Sequence, residues 1–159
     1  MSERAAVVSS LGETWFASEL TDHARRRLAE LGELRRYEPG AEVTREGDEA
    51  TELGVVVAGR LALRMLVPER GMVTILTVEP GDIYGWSAIV PPHGATSSAV
   101  AAEATDAIAF DGARLRAELD GDPLLAAALY PRVLAALARR LTATRLQLLD
   151  LFASGAEPW

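Results

Sequence analysis

The side chains best suited to holding a small ligand lie between Pro80 and Val100: Gly85-Trp86-Ser87-Ala88 and, beyond Pro91-Pro92, Thr96-Ser97-Ser98. A glycine lets the backbone come close to a guest, and one helical turn through Trp86 to Ile89 would leave the amides of residues 86–88 without internal partners. Amides aimed at one spot, joined by the hydroxyls of Ser87, Thr96, Ser97 and Ser98, favour an anion. A glycine followed by a short helix is also ordinary turn grammar, so spacing alone leaves both readings open.

Other chemistries find less support. The chain has no cysteine, which removes thiolate nucleophiles, disulfides and Cys-based zinc sites together. His23 and His93 are the only histidines, and one of them falls in a helical stretch, so a His/Glu metal cluster cannot be assembled. Gly85-Trp86-Ser87 lacks the second glycine of a nucleophile elbow, and no Ser-His-acid spacing is apparent. A non-enzymatic protein without metal or cofactor is therefore expected. All 16 basic residues are arginine and are outnumbered by 23 acids, giving a net charge of −7. That field repels phosphate backbones, and no sizeable basic patch stands against it, so direct nucleic-acid binding is not expected. No apolar run reaches membrane-spanning length and residues 5–11 do not read as a secretory signal, which makes a cytoplasmic protein without membrane contact the default.

The elements that must position these groups follow from patterning. Residues 1–14 read as a flexible N-terminus. A helical stretch then begins at Trp15 and Phe16, with Thr21 as an N-cap and Leu20, Ala24, Leu28 and Leu31 at helical spacing, leaving Arg25, Arg26 and Arg27 mostly solvated. From Tyr37 the pattern changes: eight of the thirteen glycines lie between Gly40 and Gly94 and separate short Val/Leu/Ile/Thr segments. Strands are expected at 42–44, 52–58, 60–67, 72–78, 83–84, 97–102 and 105–110, which implies an antiparallel β-roll over about 37–110 in an α+β fold.

Past Phe110 the strands stop, and helices occupy about 111–152, followed by a tail at 153–159. Asp111 caps a short helix, Asp122-Pro123 starts a second, and Pro131 predicts a kink or restart. Leu134, Leu137, Leu141, Thr144, Leu148 and Leu151 then recur at spacings of three and four, a heptad seam with one polar member. Val133, Leu146, Leu149 and Phe152 widen that stripe, so a partner helix and the chain's own core compete for it.

This order of elements, with Tyr37-Glu38-Pro39-Gly40, Glu46-Gly47-Asp48-Glu49-Ala50, Gly59, Gly71 and Pro80-Gly81-Asp82-Ile83-Tyr84-Gly85, resembles the cyclic-nucleotide-binding domain of the Crp/Fnr regulators and of cyclic-nucleotide-dependent kinase regulatory subunits. The likeness covers residues 15–152. It implies a jelly-roll β-roll, a phosphate-binding cassette at Gly85, Trp86, Ser87, Ala88, Thr96, Ser97 and Ser98, and a long C-terminal helix that makes a homodimer through Leu134, Leu137, Leu141, Leu148 and Leu151. It also implies a place for Thr144 against the nucleotide base. Arg145, next to it, could restore a positive charge if it turned inward.

Two departures qualify that resemblance. The family's glutamate after the cassette glycine is here Trp86, and its phosphate-gripping arginine is here Thr96. Trp86 could stack on a planar guest or fill the space itself, and filling is favoured because a large ring gains by burial. The chain stops at Trp159 where Crp/Fnr transcription factors continue into a winged helix-turn-helix, so an unknown protein partner is expected to carry any output. The resemblance and its departures thus imply a stand-alone sensor, with a nucleotide-like effector left open and a degenerate cassette that does not bind cyclic AMP in the usual way. A ligand-free dimeric scaffold and transcriptional control through a DNA-binding partner are its alternatives.

Overall fold

The computed structural model describes residues 2–155; of the expected tail, residues 156–159 lie outside them. Two four-stranded antiparallel sheets face each other. One has the order β1 (Gly32–Tyr37), β8 (Thr105–Asp111), β3 (Glu52–Ala58), β6 (Ile83–Tyr84), and the other β2 (Glu42–Thr44), β7 (Ser98–Ala101), β4 (Leu61–Val67), β5 (Gly71–Val78). Alternation along β3 explains the layering, because successive side chains leave opposite faces of a strand. Leu53 and Val55 face the helices, whereas Val56 joins Leu61, Leu63, Val78 and Tyr84 between the sheets. The middle of the first sheet, β3 and β8, is therefore buried on both sides. Helices α1 (Glu3–Gly12), α2 (Asp22–Leu31), α3 (Gly112–Gly121) and α4 (Pro123–Ala153) cover its outer face.

The strands fall within a residue or so of the positions the patterning predicts, with one addition. β1 runs alongside β8 in continuous register from Gly32↔Phe110 to Tyr37↔Thr105, ahead of the expected start of the roll. Its Glu33, Arg35 and Arg36 are exposed, so it has no alternating apolar face to announce it. The N-terminus departs from expectation too. Residues 3–12, read as flexible, form α1, which Ser2 caps and which buries Val7 and Leu11 in the main core. Trp15 and Phe16 do not begin a helix; they lie in turns, and the Phe16 amide donates to the carbonyl of Gly81 at 3.1 Å.

Asp111 and Asp122 cap α3 and α4 as the sequence predicts, accepting from the amides of Arg114 and Leu125. α4 does not restart at Pro131, and it is one helix of 31 residues. Pro131 removes the bond that the carbonyl of Ala127 would accept, but both residues lie on the exposed face, where water can hydrate that carbonyl. Buried Leu129, Arg132 and Val133 hold the helix on either side of the gap. Arg132 acts as a bolt: its Nε and Nη2 donate to the carbonyls of Phe16 (2.9 Å) and Trp15 (2.6 Å), and its Nη1 donates to Glu19 (2.8 Å). Arg132 and Arg139 both stack on the Trp15 ring, 4.5 and 4.0 Å from its centroid.

Gly54 marks a tight point of the roll. A Cβ there would lie 2.1 Å from the Tyr84 ring. Gly54→Ala is expected to destabilise the fold by at least ~3 kcal/mol, the upper end of ordinary overpacking. In a chain of this size that lowers Tm by roughly 6–12 °C, which a thermal unfolding scan followed by circular dichroism would detect.

Candidate functional site: the cassette cleft

β6 ends at Tyr84, and the chain turns through Gly85 at φ +70 into a single 3-10 turn, Trp86–Ala88. Only glycine fits, because a Cβ at Gly85 would lie 2.0 Å from the carbonyl oxygen of Glu52. The Ala88 amide donates to Gly85 O at 3.0 Å, so the turn consumes one of the donors that the sequence suggested for an anion. Arg116 of α3 donates to the Ala88 carbonyl. Beyond the turn, Pro91-Pro92 is a cis peptide, and the His93 ring donates from Nδ1 to the carbonyl of Ser87 at 3.0 Å. The backbone of His93 and Ala95 pairs with Ala50, Asp48 and Gly47, which fastens this loop to the β2–β3 connection.

Gly85, Trp86, Ser87, Thr96 and Ser97 line one cleft together with Thr44 of β2, whose hydroxyl donates to the Ser97 carbonyl at 3.4 Å. Ala88 and Ser98 do not reach it. Ala88 is fully buried in the main core, and the Ser98 hydroxyl is occupied in accepting the amide of Glu46 at 2.9 Å. Thr144 and Arg145 are also absent, since both lie on the exposed part of α4, where the Thr144 hydroxyl donates to Arg140 O. The helix presents a different arginine to the cleft. Arg140, one turn earlier, lines it and donates from Nη2 to the carbonyl of Ile83 at 2.7 Å. Spacing could not single it out, because α4 carries Arg132, Arg139, Arg140 and Arg145 and the rotation of the helix against the roll is set by packing.

The cleft is nearly full. Its free volume is about 30 Å³, room for one water, whereas pockets for drug-sized ligands occupy about 300–1,000 Å³. Trp86 lines the cleft and packs, partly buried, against the main core. Burial pulls the Arg140 pKa down, partly offset by the carboxylate of Asp82 3.8 Å away. Among the described residues, no cluster of three His, Asp or Glu side chains has metal-binding geometry, and no helix is long and apolar enough to cross a membrane.

Behind the cleft, Tyr84 Oη donates to Glu52 Oε1 at 2.7 Å, and Tyr37 Oη reaches the same oxygen at 2.9 Å. Burial is the main cause that pushes the Tyr37 hydroxyl up to about 12 and the Tyr84 hydroxyl higher still.

These two sheets, with a glycine-led turn inserted before β7 and a long terminal helix, define a β-roll domain. A model of the cyclic nucleotide-binding domain matches residues 34–122, and the chain belongs to that family. Among solved structures, a cyclic nucleotide-binding domain from Methylobacillus flagellatus KT matches with a TM-score of 0.78 at 20% identity, over 92% of this chain and 83% of the other. The N-terminal domain of a transcriptional regulator from Streptomyces coelicolor A3(2) matches with a TM-score of 0.66 at 24% identity, over 87% and 94%. These two likenesses are of fold. A cyclic nucleotide-binding-like protein from Brucella abortus is 30% identical over 72% of this chain and 98% of its own, with a TM-score of 0.59. None of the curated proteins matches this chain.

The tyrosine pair makes stability sensitive to alkali. Unfolded tyrosines ionise near pH 10, while the folded pair holds its protons to higher pH, so the native state binds more protons and unfolding free energy falls as pH rises. The expected decline begins at about pH 10, and the part due to Tyr37 ends near 12. Urea titrations across this range should show a shallower decline in Tyr84→Phe.

Proposed function

We propose that this chain is an effector-sensing regulatory domain of cyclic-nucleotide-receptor type, that its cassette does not grip cyclic AMP in the usual way, and that it works as a homodimer through α4 on a separate protein partner. The observation that carries the reading is the pair Trp86 and Thr96, both lining the cleft at the positions where the family's motif has glutamate and arginine. Without the arginine fork, a cyclic phosphate loses a charge-assisted contact of roughly 1.5–3 kcal/mol, or about 10–100-fold in affinity. The family's fold supports a regulatory rather than a catalytic role.

Dimerisation rests on the exposed end of α4. Leu134, Leu141, Leu148 and Leu151 of the heptad seam are all exposed, and so are Leu146, Leu149 and Phe152. Leu137 alone of the seam packs partly on the chain's own core. So many large apolar side chains on one solvent-facing helical stretch favour a covering partner, and the heptad spacing favours a second copy of the same helix. A ligand-free dimeric scaffold is the second reading, favoured by how little room the cleft has.

Two outcomes are expected. Cyclic AMP should give no saturable heat with the native protein in titration calorimetry, whereas Trp86→Glu/Thr96→Arg should bind it at least ~10-fold more tightly; tight binding by the native protein would refute the degenerate-cassette reading. Light scattering should give twice the monomer mass for the native chain. Leu141→Glu/Leu148→Glu should give the monomer mass with an unchanged circular dichroism spectrum over the roll, and a native monomer at micromolar concentration would remove the dimer from this reading.

A further inference from the structure

Two arginines of α4 are largely buried, and they are satisfied differently. Every guanidinium nitrogen of Arg132 has a partner in Phe16, Trp15 or Glu19. Arg140 is held at Nη2 by the carbonyl of Ile83, and its Nε is fully buried without any hydrogen-bond partner, alone in this among buried side-chain polar atoms of the described residues. Its side chain is only 14% exposed, and the nearest countercharge, Asp82, stands at 3.8 Å, too far for a good hydrogen bond. A buried cation with an orphaned donor is costly unless something completes its shell. The cleft that Arg140 lines offers further donors for an oxyanion, the hydroxyls of Ser87, Thr96 and Ser97, and no acidic side chain of its own.

We propose that α4 supplies the cation of this cleft: Arg140, with the Ser97 and Thr96 hydroxyls, holds a phosphate-type oxyanion in place of the arginine that Thr96 replaces. This deepens the sensing role proposed above and rests on it. The effector class is then a small phosphate-bearing metabolite bound by its headgroup. Headgroup and remainder alike must open the cleft at the Trp86 ring, since about 30 Å³ holds nothing larger than a water. The anchor sits on the same helix as the exposed heptad seam, so whatever fills the cleft acts directly on the position of that helix.

The test is a titration of the native chain with inorganic phosphate, followed by the Arg140 Nε–H and cleft amide resonances in two-dimensional NMR, against sodium chloride at matched ionic strength. The expected result is a saturable shift of the Arg140 Nε–H signal that chloride does not reproduce. Arg140→Gln should weaken phosphate binding by about 10–100-fold. Arg140→Lys, which keeps the charge but not the fork, should fall between, and Ser97→Ala should weaken binding without touching α4. Three results would overturn the proposal: no saturation by phosphate, saturation unchanged in Arg140→Gln, or loss in Arg140→Gln with Ser97→Ala unaffected, which would place the anion in the neighbouring groove lined by Trp15, Thr77, Asp82 and Arg139, which Arg140 also lines. If Arg140→Gln fails to fold, Arg140→Lys and Ser97→Ala decide. The mass of the same samples by light scattering separates this failure from failure of the dimeric sensor itself, because an α4 dimer that ignores phosphate leaves the broader reading standing.

Discussion

The close approach of β6 to β3 is the constraint on which the rest of the molecule depends. Gly85 lies against the Glu52 carbonyl and the Tyr84 ring lies where Gly54 has no side chain, so two absent Cβ atoms allow one strand end to sink into the roll. The Glu52 carboxylate then accepts both tyrosine hydroxyls, which settles the polar end of a ring that is otherwise buried among Val56, Leu61 and Ala107. Everything that forms the cleft begins where this contact ends. The 3-10 turn leaves Gly85 in the one direction that the contact permits, with Trp86 against the core and Ser87 toward Ser97 and Thr96.

A second consequence follows from a sheet whose middle is buried on both faces. The helices of such a molecule share one core with the sheet they cover, and Leu125, Leu129, Val133 and Ala136 of α4 enter the same cluster as Leu53, Val55 and Ile108. Helix and cleft are thus parts of one packed body up to Arg140. The loop from Ile89 to Ala95 is also fixed more firmly than its composition suggests. His93, which the sequence presents as a residue of a proline-rich tip, clasps the turn through Ser87 O and β3's approach through Ala50.

Most of the fold could be read in the sequence, because the roll announces itself by alternation and by glycines at φ values that other residues avoid: Gly40, Gly47, Gly59, Gly71, Gly81 and Gly85 all have positive φ. β1 could not be read, since an edge strand carrying Glu33, Arg35 and Arg36 has no apolar face, and its identity comes from its pairing with β8. α1 was equally obscure, a short helix that buries Val7 and Leu11 while Val8 is exposed, without a sustained apolar stripe. For the cleft, the residues on one loop were legible and the residue from afar was not. Gly85, Trp86, Ser87, Thr96 and Ser97 are brought together by a local chain reversal, whereas Arg140 arrives by the rotation of a helix some fifty residues on. That rotation is fixed by Arg132 and by Trp15 between two guanidinium groups, contacts that span more than a hundred residues and leave no periodic trace.

The bolting of α4 is uneven along its length. Up to Arg140 it is gripped by Phe16, Trp15 and the sheet, whereas the large apolar side chains from Leu141 to Phe152 are all exposed. Thirteen residues project past the last fastening, roughly 20 Å of helix. Such an arm has mechanical advantage: tilting it by ~10° about Arg140 would sweep its tip through ~3–4 Å, nearly the diameter of a methyl group. A displacement too small to alter the roll would therefore be magnified at the far end, where another molecule could read it as a change of fit.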